Sequence, residues 1–516
     1  MKTMFNTIKI KSLLVLVLVA ALGCSDKLDE PQENNSFTGS TDFTKTEDMK
    51  LSIIGVYAAF QSRGWEQPLL IGVRGDDVNA GGLGDQQDFA ETDKFNYNKD
   101  YWMYNSLWEN IYVDIIAAHT AMDQIKRYQD FANNAGVALG NQYIAEAKVL
   151  RAIMLFHISQ VWGDVFIPES SDTSELLALT SVPTQAEVMQ HLSDQMDEAI
   201  PNLPDMRPNE RTDLPGGVTK YTALAIKALA NQELGNYQAV ADAAGQIISS
   251  GKFSLYPDFY ELFKTPGKLS NEVLLDMQYS DFGQGQGDRE GHLYAPYGPQ
   301  NWTPAVAGAS SGWGFYEPSM KFIKFMLDRN ETVRLETSVL FTNRGIAEIQ
   351  ADPQYASLPS WISNTTRDGD RINDYARALF ASGKHYLPSN QLIPGRTAYG
   401  SNKNYTILRY AEILLMYAEA LTHGANGSGM TADQAVNLVR QRAGLGTISG
   451  VTLDQVLNEK YAELSMEWGK RYFDLIRLGR ANELNYDGRT FSMDKKYLPY
   501  PQGQVDQFPI LAQRNN

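Results

Sequence analysis

The sequence predicts a mostly α-helical protein in which helical hairpins stack into a superhelix, interrupted by two long irregular regions. Three observations carry this expectation. Apolar residues recur at three- and four-residue spacing over most of the chain. Two pairs of such segments are joined by short Gly/Asn turns. Two stretches rich in Gly, Pro and aromatic residues break the rhythm, and unstructured runs of that length are uncommon in a compact domain unless they carry a function.

The helices follow in order. TEDMKLSIIGVYAAFQS (Thr46–Ser62) opens with a Thr and acids suited to a cap and then turns apolar at helical spacing. Tyr101–Tyr128 reads as a long amphipathic helix, Asn141–Val165 as a second stopped by Gly163, and Thr184–Pro204 as a third broken by prolines. Val218–Gly251 divides into two helices at Leu234-Gly235-Asn236, and Ala228, Gly235, Tyr237, Ala243 and Ala244 give it a degenerate tetratricopeptide-like pattern. Tyr405–Leu445 repeats the hairpin, and Leu453–Ala481 forms the closing helical block. Hairpins spread along the chain favour a tetratricopeptide-like superhelix over a closed bundle. The irregular regions are Gly64–Lys99 and Tyr279–Pro318.

The amino terminus is of a different kind. Lys2, Lys9 and Lys11 precede SLLVLVLVAALG, an apolar run of about a dozen residues that suits a secretory signal and is short of the roughly twenty a membrane span needs. Residues 1–23 are therefore expected to be a signal peptide. Ala21-Leu22-Gly23-Cys24 resembles a bacterial lipobox, which implies cleavage before Cys24 and lipidation of its thiol. Cys24 is the one cysteine in 516 residues, so no disulfide partner competes for it. Two or three acyl chains make a stable anchor. The polar, acidic residues 24–42 read as a flexible tether behind it.

Charge and motif content exclude several classes. The chain holds 45 Lys and Arg against 61 Asp and Glu, a net charge of −16, which disfavours nucleic acid. No two of His119, His157, His191, His292, His385 and His423 have zinc-ligand spacing. Gly308–Gly312 matches G-x-S-x-G, but both flanks read as loop where a nucleophile elbow needs a strand and a helix. GQGQG (Gly283–Gly287) lacks the Lys-Ser/Thr of a phosphate loop. Asp76 and Asp77 are adjacent and point apart in extended backbone, so they are not a glycosidase pair. With Asn79, Asp85 and Asp88 they read as loop solvation, with ligand hydrogen bonding and Ca²⁺ without EF-hand spacing as the alternatives. No catalytic residue, resident metal or cofactor is otherwise indicated. Glu459, Glu463, Glu467 and Arg471 at steps of four, with the pair Lys470 and Asp474, read as a salt-bridge row on one helix face.

Several segments carry a family resemblance. AEAKVLRAIMLFHISQVWGDVFIP (Ala145–Pro168), RYAEILLMYAEAL (Arg409–Leu421), VNLVRQRAGL (Val436–Leu445), ELSMEWGKRYFDLIRLGR (Glu463–Arg480) and the tail YLPYPQGQVDQFPILAQRNN (Tyr497–Asn516) resemble, in order, the signatures of the SusD/RagB family. Lys460 stands where that family usually has arginine, and Trp468-Gly469-Lys470-Arg471 replaces its commoner Glu-Gly-x-Arg. The resemblance implies a SusD-like fold, with an N-terminal part over residues 43–265 and a C-terminal RagB/SusD part over 266–516. It implies a cell-surface lipoprotein of the Bacteroidota outer membrane, an assignment that the acidic residues after Cys24 also resemble. Such proteins cover a SusC-like TonB-dependent transporter, capture oligosaccharide or, in the RagB branch, peptide, and catalyse nothing. A surface-anchored hydrolase is the remaining alternative.

A sugar ring offers an apolar C–H face and a rim of hydroxyls, so its site needs flat aromatic rings beside amides, carboxylates or guanidinium groups. The irregular regions supply both. Trp302, Trp313 and Tyr297 are the expected stacking residues, with Trp65 and Tyr97 as further candidates, and Arg74, Asp77 and Asn79 are the expected polar contacts.

Overall fold

A computed structural model describes residues 41–81, 86–172, 174–279, 294–392 and 400–513. The signal peptide, Cys24, nearly all of the tether, Asp85, the GQGQG run and His292 lie outside the described residues.

Helices dominate, and they pack in a row. Met49–Gln61 lies on Trp102–Gln129, which packs on Asn134–Trp162, and contact then passes through Gln185–Ala199, Lys220–Glu233 and Tyr237–Ser249 to Tyr410–Thr422. Tyr410–Thr422 in turn contacts Ala432–Arg442 and Leu453–Leu464. The row crosses the expected boundary at residues 265 and 266 without a break. Local chemistry sets the helix ends. Thr184, Thr431 and Thr452 form capping boxes with Glu187, Gln434 and Gln455. Asn133 and Asn236 accept from Gly136 and Ala239. Each such cap is worth about 1 kcal/mol. Gly163 stops its helix at φ +76°, and Gly235 turns the hairpin at φ +69°. Among the described residues no helix is long and apolar enough to cross a membrane.

Two helical expectations are corrected. Tyr405–Arg409 is a strand, antiparallel to Val273–Met277, and the hairpin helix starts only at Tyr410. Leu453–Ala481 breaks after Leu464 and resumes at Lys470, with Met466, Trp468 and Gly469 at positive φ between. Tertiary contacts override the helical pattern there. Asp77 accepts the Met466 N–H at 2.6 Å, and the Trp468 indole donates to Thr406 O at 2.9 Å while stacking on His157. A Cβ on Gly469 would lie 2.5 Å from Ile71 O.

The charge row is correspondingly not a surface ladder. Glu459 binds Arg334 at 2.6 Å and Arg329 at 2.8 Å, Glu463 binds Arg409 at 2.6 Å and also Arg442, and Glu467 takes Arg409 at 2.7 Å and Lys384 at 2.6 Å. Lys470 pairs with Glu412, while Asp474 pairs with Lys460 at 2.7 Å. Glu459, Glu463, Arg334, Arg409, Lys384, Glu412 and Lys460 are buried and the other ions half-buried, and their geometry fixes the C-terminal helices against the 405–409 strand.

The first irregular region is not an open loop. It folds into helices Glu66–Gly72 and Gln87–Asp93 and strand Val78–Ala80, and it buries Leu69, Leu70, Ile71, Val78 and Phe89. Strand Val78–Ala80 pairs antiparallel with Tyr316–Pro318, matching Asn79 to Glu317 and Ala80 to Tyr316. That pairing brings the two irregular regions together.

Candidate functional site

Three tryptophans from three segments meet where those regions join. Trp65 sits at the turn before helix Glu66–Gly72, Trp102 is the first residue of Trp102–Gln129, and Trp313 lies just ahead of strand Tyr316–Pro318. The Trp65 ring stands 5.2 Å from Trp313 at 90° and 5.8 Å from Trp102 at 69°. Phe315 closes the group, 5.6 Å from Trp313 and 6.2 Å from Trp65. Trp65 and Trp313 are half-buried, whereas Trp102 is 47% exposed. Edge-to-face contacts hold the rings at fixed angles, and the exposed parts of the three indoles make an arc able to receive an apolar ring surface.

Backbone bonds set the arc. Trp313 N–H donates to Ala295 O at 2.6 Å, Gly314 N–H to Gly298 O at 3.0 Å and Phe315 N–H to Pro296 O at 2.7 Å. Gly81 N–H donates to Phe315 O at 2.7 Å. Glycine is required at the closest approaches: a Cβ on Gly81 would lie 2.2 Å from Gly314 O, and one on Gly312 2.3 Å from Gly298 Cα. Polar groups flank the rings. The Glu66 carboxylate, next to Trp65, accepts from Ser106 Oγ at 2.6 Å, and the Arg377 guanidinium lies 4.6 Å over Phe315.

Of the residues expected from the sequence, the structure brings Trp65 and Trp313 into one arc. The others are engaged within the protein, four of them buried and Tyr97 and Asn79 half-buried. Trp302 is buried in a short strand opposite Ile372, edge-on to Tyr386. Tyr297 is buried, its ring parallel to His385 at 4.0 Å and its hydroxyl accepting from Tyr405 at 3.3 Å. Tyr97 is half-buried and donates to Lys495 O at 2.9 Å. Arg74 is buried over the Tyr472 ring and donates to Lys496 O at 3.2 Å. Asp77 is buried under the Met466 N–H, and burial pushes its carboxyl up to about 6. Asn79 accepts from Arg489 at 2.8 Å and from Tyr486 at 3.0 Å. Tyr97, Arg74, Asp77 and Asn79 share one reason: each sits where the 64–99 segment is clamped to residues 466–496 near the C-terminus, whereas Trp302 packs on Tyr386 and Tyr297 on His385 and Tyr405.

Among the described residues neither a nucleophile arrangement nor a cation-holding cluster assembles here. Asp76 is held by Arg471 at 2.8 and 3.1 Å and by Lys321 at 2.7 Å, so its carboxylate is spent on cations of the protein itself, while Asp77 accepts the Met466 N–H. Among the described residues no group of three or more His, Cys, Asp or Glu is placed to hold a metal ion. Gly308–Gly312 lies between the short strands Trp302–Thr303 and Tyr316–Pro318, with no strand-to-helix elbow. The Ser382–His385 contact at 2.7 Å is buried, and the second imidazole nitrogen faces the Tyr405 hydroxyl rather than a carboxylate.

Trp102 was not anticipated. Its signal lies in the helical phase: Met103, Tyr104, Leu107, Trp108 and Ile111 define the buried stripe, and Trp102 falls outside it at the helix start. A tryptophan out of phase with the core face needs another partner.

Residues 271–516 match the description "SusD family", and residues 28–228 match "Starch-binding associating with outer membrane". The SusD-like protein P2 of Formosa agariphila is 28% identical, with 92% of each chain covered. The surface glycan-binding protein A of Bacteroides thetaiotaomicron, solved with laminarihexaose, superposes with a TM-score of 0.71 at 25% identity, covering 89% of this chain and 97% of that one. The surface glycan-binding protein A of Bacteroides uniformis, at 22% identity, shares the fold with a TM-score of 0.72 over 90% of this chain and 98% of that one. With residues 28–228 and 271–516 matched in order and the same architecture over about nine-tenths of the chain, the chain belongs to the SusD family.

Proposed function

We propose that this protein is a cell-surface lipoprotein that binds oligosaccharide on the Trp65–Trp102–Trp313 arc and passes it to a SusC-type TonB-dependent outer-membrane transporter, without catalysing a reaction. The arc is the observation that carries the reading. Three indole faces at fixed angles suit the C–H faces of successive sugar rings, and Glu66 with Arg377 provides an acceptor and a donor at their edge. The laminarihexaose complex of the Bacteroides thetaiotaomicron relative supports a glycan over a peptide as the ligand. Anchoring through lipidated Cys24 supplies the outer-membrane location without a spanning helix.

Titration calorimetry of the mature chain against a panel of oligosaccharides tests this. One glycan class binds, no product accumulates on long incubation, and Trp65→Ala with Trp313→Ala removes the heat of binding. Product release that survives rigorous purification, or undiminished binding by the double variant, overturns it. Cys24→Ser is expected to move the protein from the membrane fraction to the soluble one.

A further inference from the structure

A cavity of about 470 Å³ lies between the Met49–Gln61 helix, the 214–217 turn and the end of the 273–279 segment. Its volume is in the range of pockets that hold small organic ligands. Ile54, Leu214 and Leu269 give it apolar walls, and the rings of Tyr57 and Tyr279 face it.

The hydroxyls of those tyrosines are already used. Tyr57 donates to Glu146 at 2.7 Å and accepts from Val218 N–H at 2.8 Å, and Tyr279 donates to Gln61 O at 3.1 Å. The charged and amide groups deeper in are used as well. Lys268 donates to Tyr279 O at 2.7 Å and to Asn402 O at 2.8 Å, while Asn404 bonds Asp276 and the Tyr279 N–H. What the cavity leaves available is neutral: among the described residues no hydrogen bond engages the side chains of Gln61, Ser62 and Gln278. Gly216, at φ +77°, leaves the room that the Gln278 amide occupies, since a Cβ there would lie 2.3 Å from its Nε2.

We infer that this cavity is a second saccharide site, separate from the tryptophan arc; the inference rests on the reading of the protein as a glycan binder. Tyrosine rings whose hydroxyls point elsewhere offer apolar surface to a sugar face. Two amides and a hydroxyl, each able to donate and accept, match the sugar's hydroxyl rim. An anion or cation finds no uncommitted charge there, and a purely apolar occupant leaves the Gln278 amide facing it unpaired. The cavity is also near the arc: Ser62 precedes Trp65 by three residues, so their Cα atoms are at most about 11 Å apart.

Hydrogen–deuterium exchange on the mature chain tests the inference, with hexasaccharides of β-1,3-glucan, α-1,4-glucan, β-1,4-xylan and β-1,4-mannan as probes. The sugar that protects the arc peptides around Trp102 and Trp313 is expected to slow exchange in residues 54–62 and 214–218 as well, by roughly tenfold at ten times the dissociation constant. Ala58→Trp, which fills the cavity, and Gln278→Ala, which leaves the helix untouched, should each remove that protection and keep the arc's. Trp65→Ala with Trp313→Ala should do the converse. Arc protection with unchanged exchange at 54–62 overturns the second site and leaves the proposed function standing. Cavity protection that survives both cavity variants shows transmitted rather than direct contact and also overturns it. Protection at the cavity alone supports the site and removes the arc from the proposed function. Protection at neither, across the panel, overturns both.

Discussion

Trp313 stands perpendicular to Trp65, ring centroids 5.2 Å apart, although one arrives from the C-terminal part of the chain and the other from the N-terminal part. The contact exists because strands Val78–Ala80 and Tyr316–Pro318 pair, and because glycines at 81, 312 and 314 let the backbones close behind the rings. A binding surface is thus built from the same pairing that joins the two irregular regions, and its parts can be tested separately.

Trp102→Ala gives the cleanest separation of binding from folding. At 47% exposure the indole contributes little to the core, so unfolding by urea should change by less than about 0.5 kcal/mol. Losing one stacking face should cost about 1–2 kcal/mol of glycan binding, a five- to thirtyfold rise in Kd. Calorimetry with the bound glycan checks it, and an unchanged Kd would place the ligand elsewhere.

Gly312→Ala should affect both properties. Its Cβ would meet Gly298 Cα at 2.3 Å, where no flexible side chain can yield, so the Trp313 segment must shift. About 1–3 kcal/mol of stability should be lost to overpacking, with binding weakened together with it. Gly308→Ala is the contrast within the same loop: nothing lies within 4 Å of its Cβ, so only its φ of +89° opposes the change and the arc should keep its place.

The contrast between these two glycines shows what the sequence could convey. The helical row was legible because it rests on local signals: capping Thr and Asn residues, Gly163 and Gly235 as stops, and apolar spacing. Trp65 and Trp313 were legible as aromatic residues in segments that did not look helical. Arg74, Asp77, Tyr297 and Trp302 carry the same composition signal yet are buried, and Asn79 is half-buried and bonded, because composition does not report partners from the far end of the chain such as Lys496, Met466 and Arg489. The break at Met466–Gly469 was hidden for the same reason, since its causes are Asp77 and Ile71.

The buried ion network predicts a large and asymmetric mutational cost. Burial alone would raise the Glu463 carboxyl, but Arg442, Arg409 and Arg334 around it hold it below the usual carboxylate range. Glu463→Gln keeps the shape and removes the charge, which leaves Arg409 and Arg442 under-compensated. Breaking one side of such a network costs about 3–5 kcal/mol, to be read from urea unfolding at neutral pH. Lys470→Met, which strips a partner from Glu412 at a less enclosed position, should cost less.

Glu317 predicts stability that falls as pH rises. It lies on the strand behind the arc, opposite Asn79, and burial pushes its carboxyl up to about 7 despite the N–H groups of Phe380 and Leu379 and the Asn79 side chain. The folded protein therefore keeps a proton that the unfolded chain, titrating near 4.5, has released. The corresponding stabilisation is fully present below the unfolded value and is lost as pH rises through about 7, an effect of roughly 3 kcal/mol. Asp77, raised to about 6, acts in the same direction over a lower window. Glu463, shifted the other way, loses stability only as pH falls. Glu317→Gln keeps an acceptor for the two N–H groups and cannot ionise. Its stability relative to the parent should improve by roughly 3 kcal/mol between pH 4 and pH 8, measured by urea unfolding at each pH. Parallel profiles for the two proteins would show that folding leaves the Glu317 carboxyl titrating as it does in the unfolded chain, and would overturn the prediction.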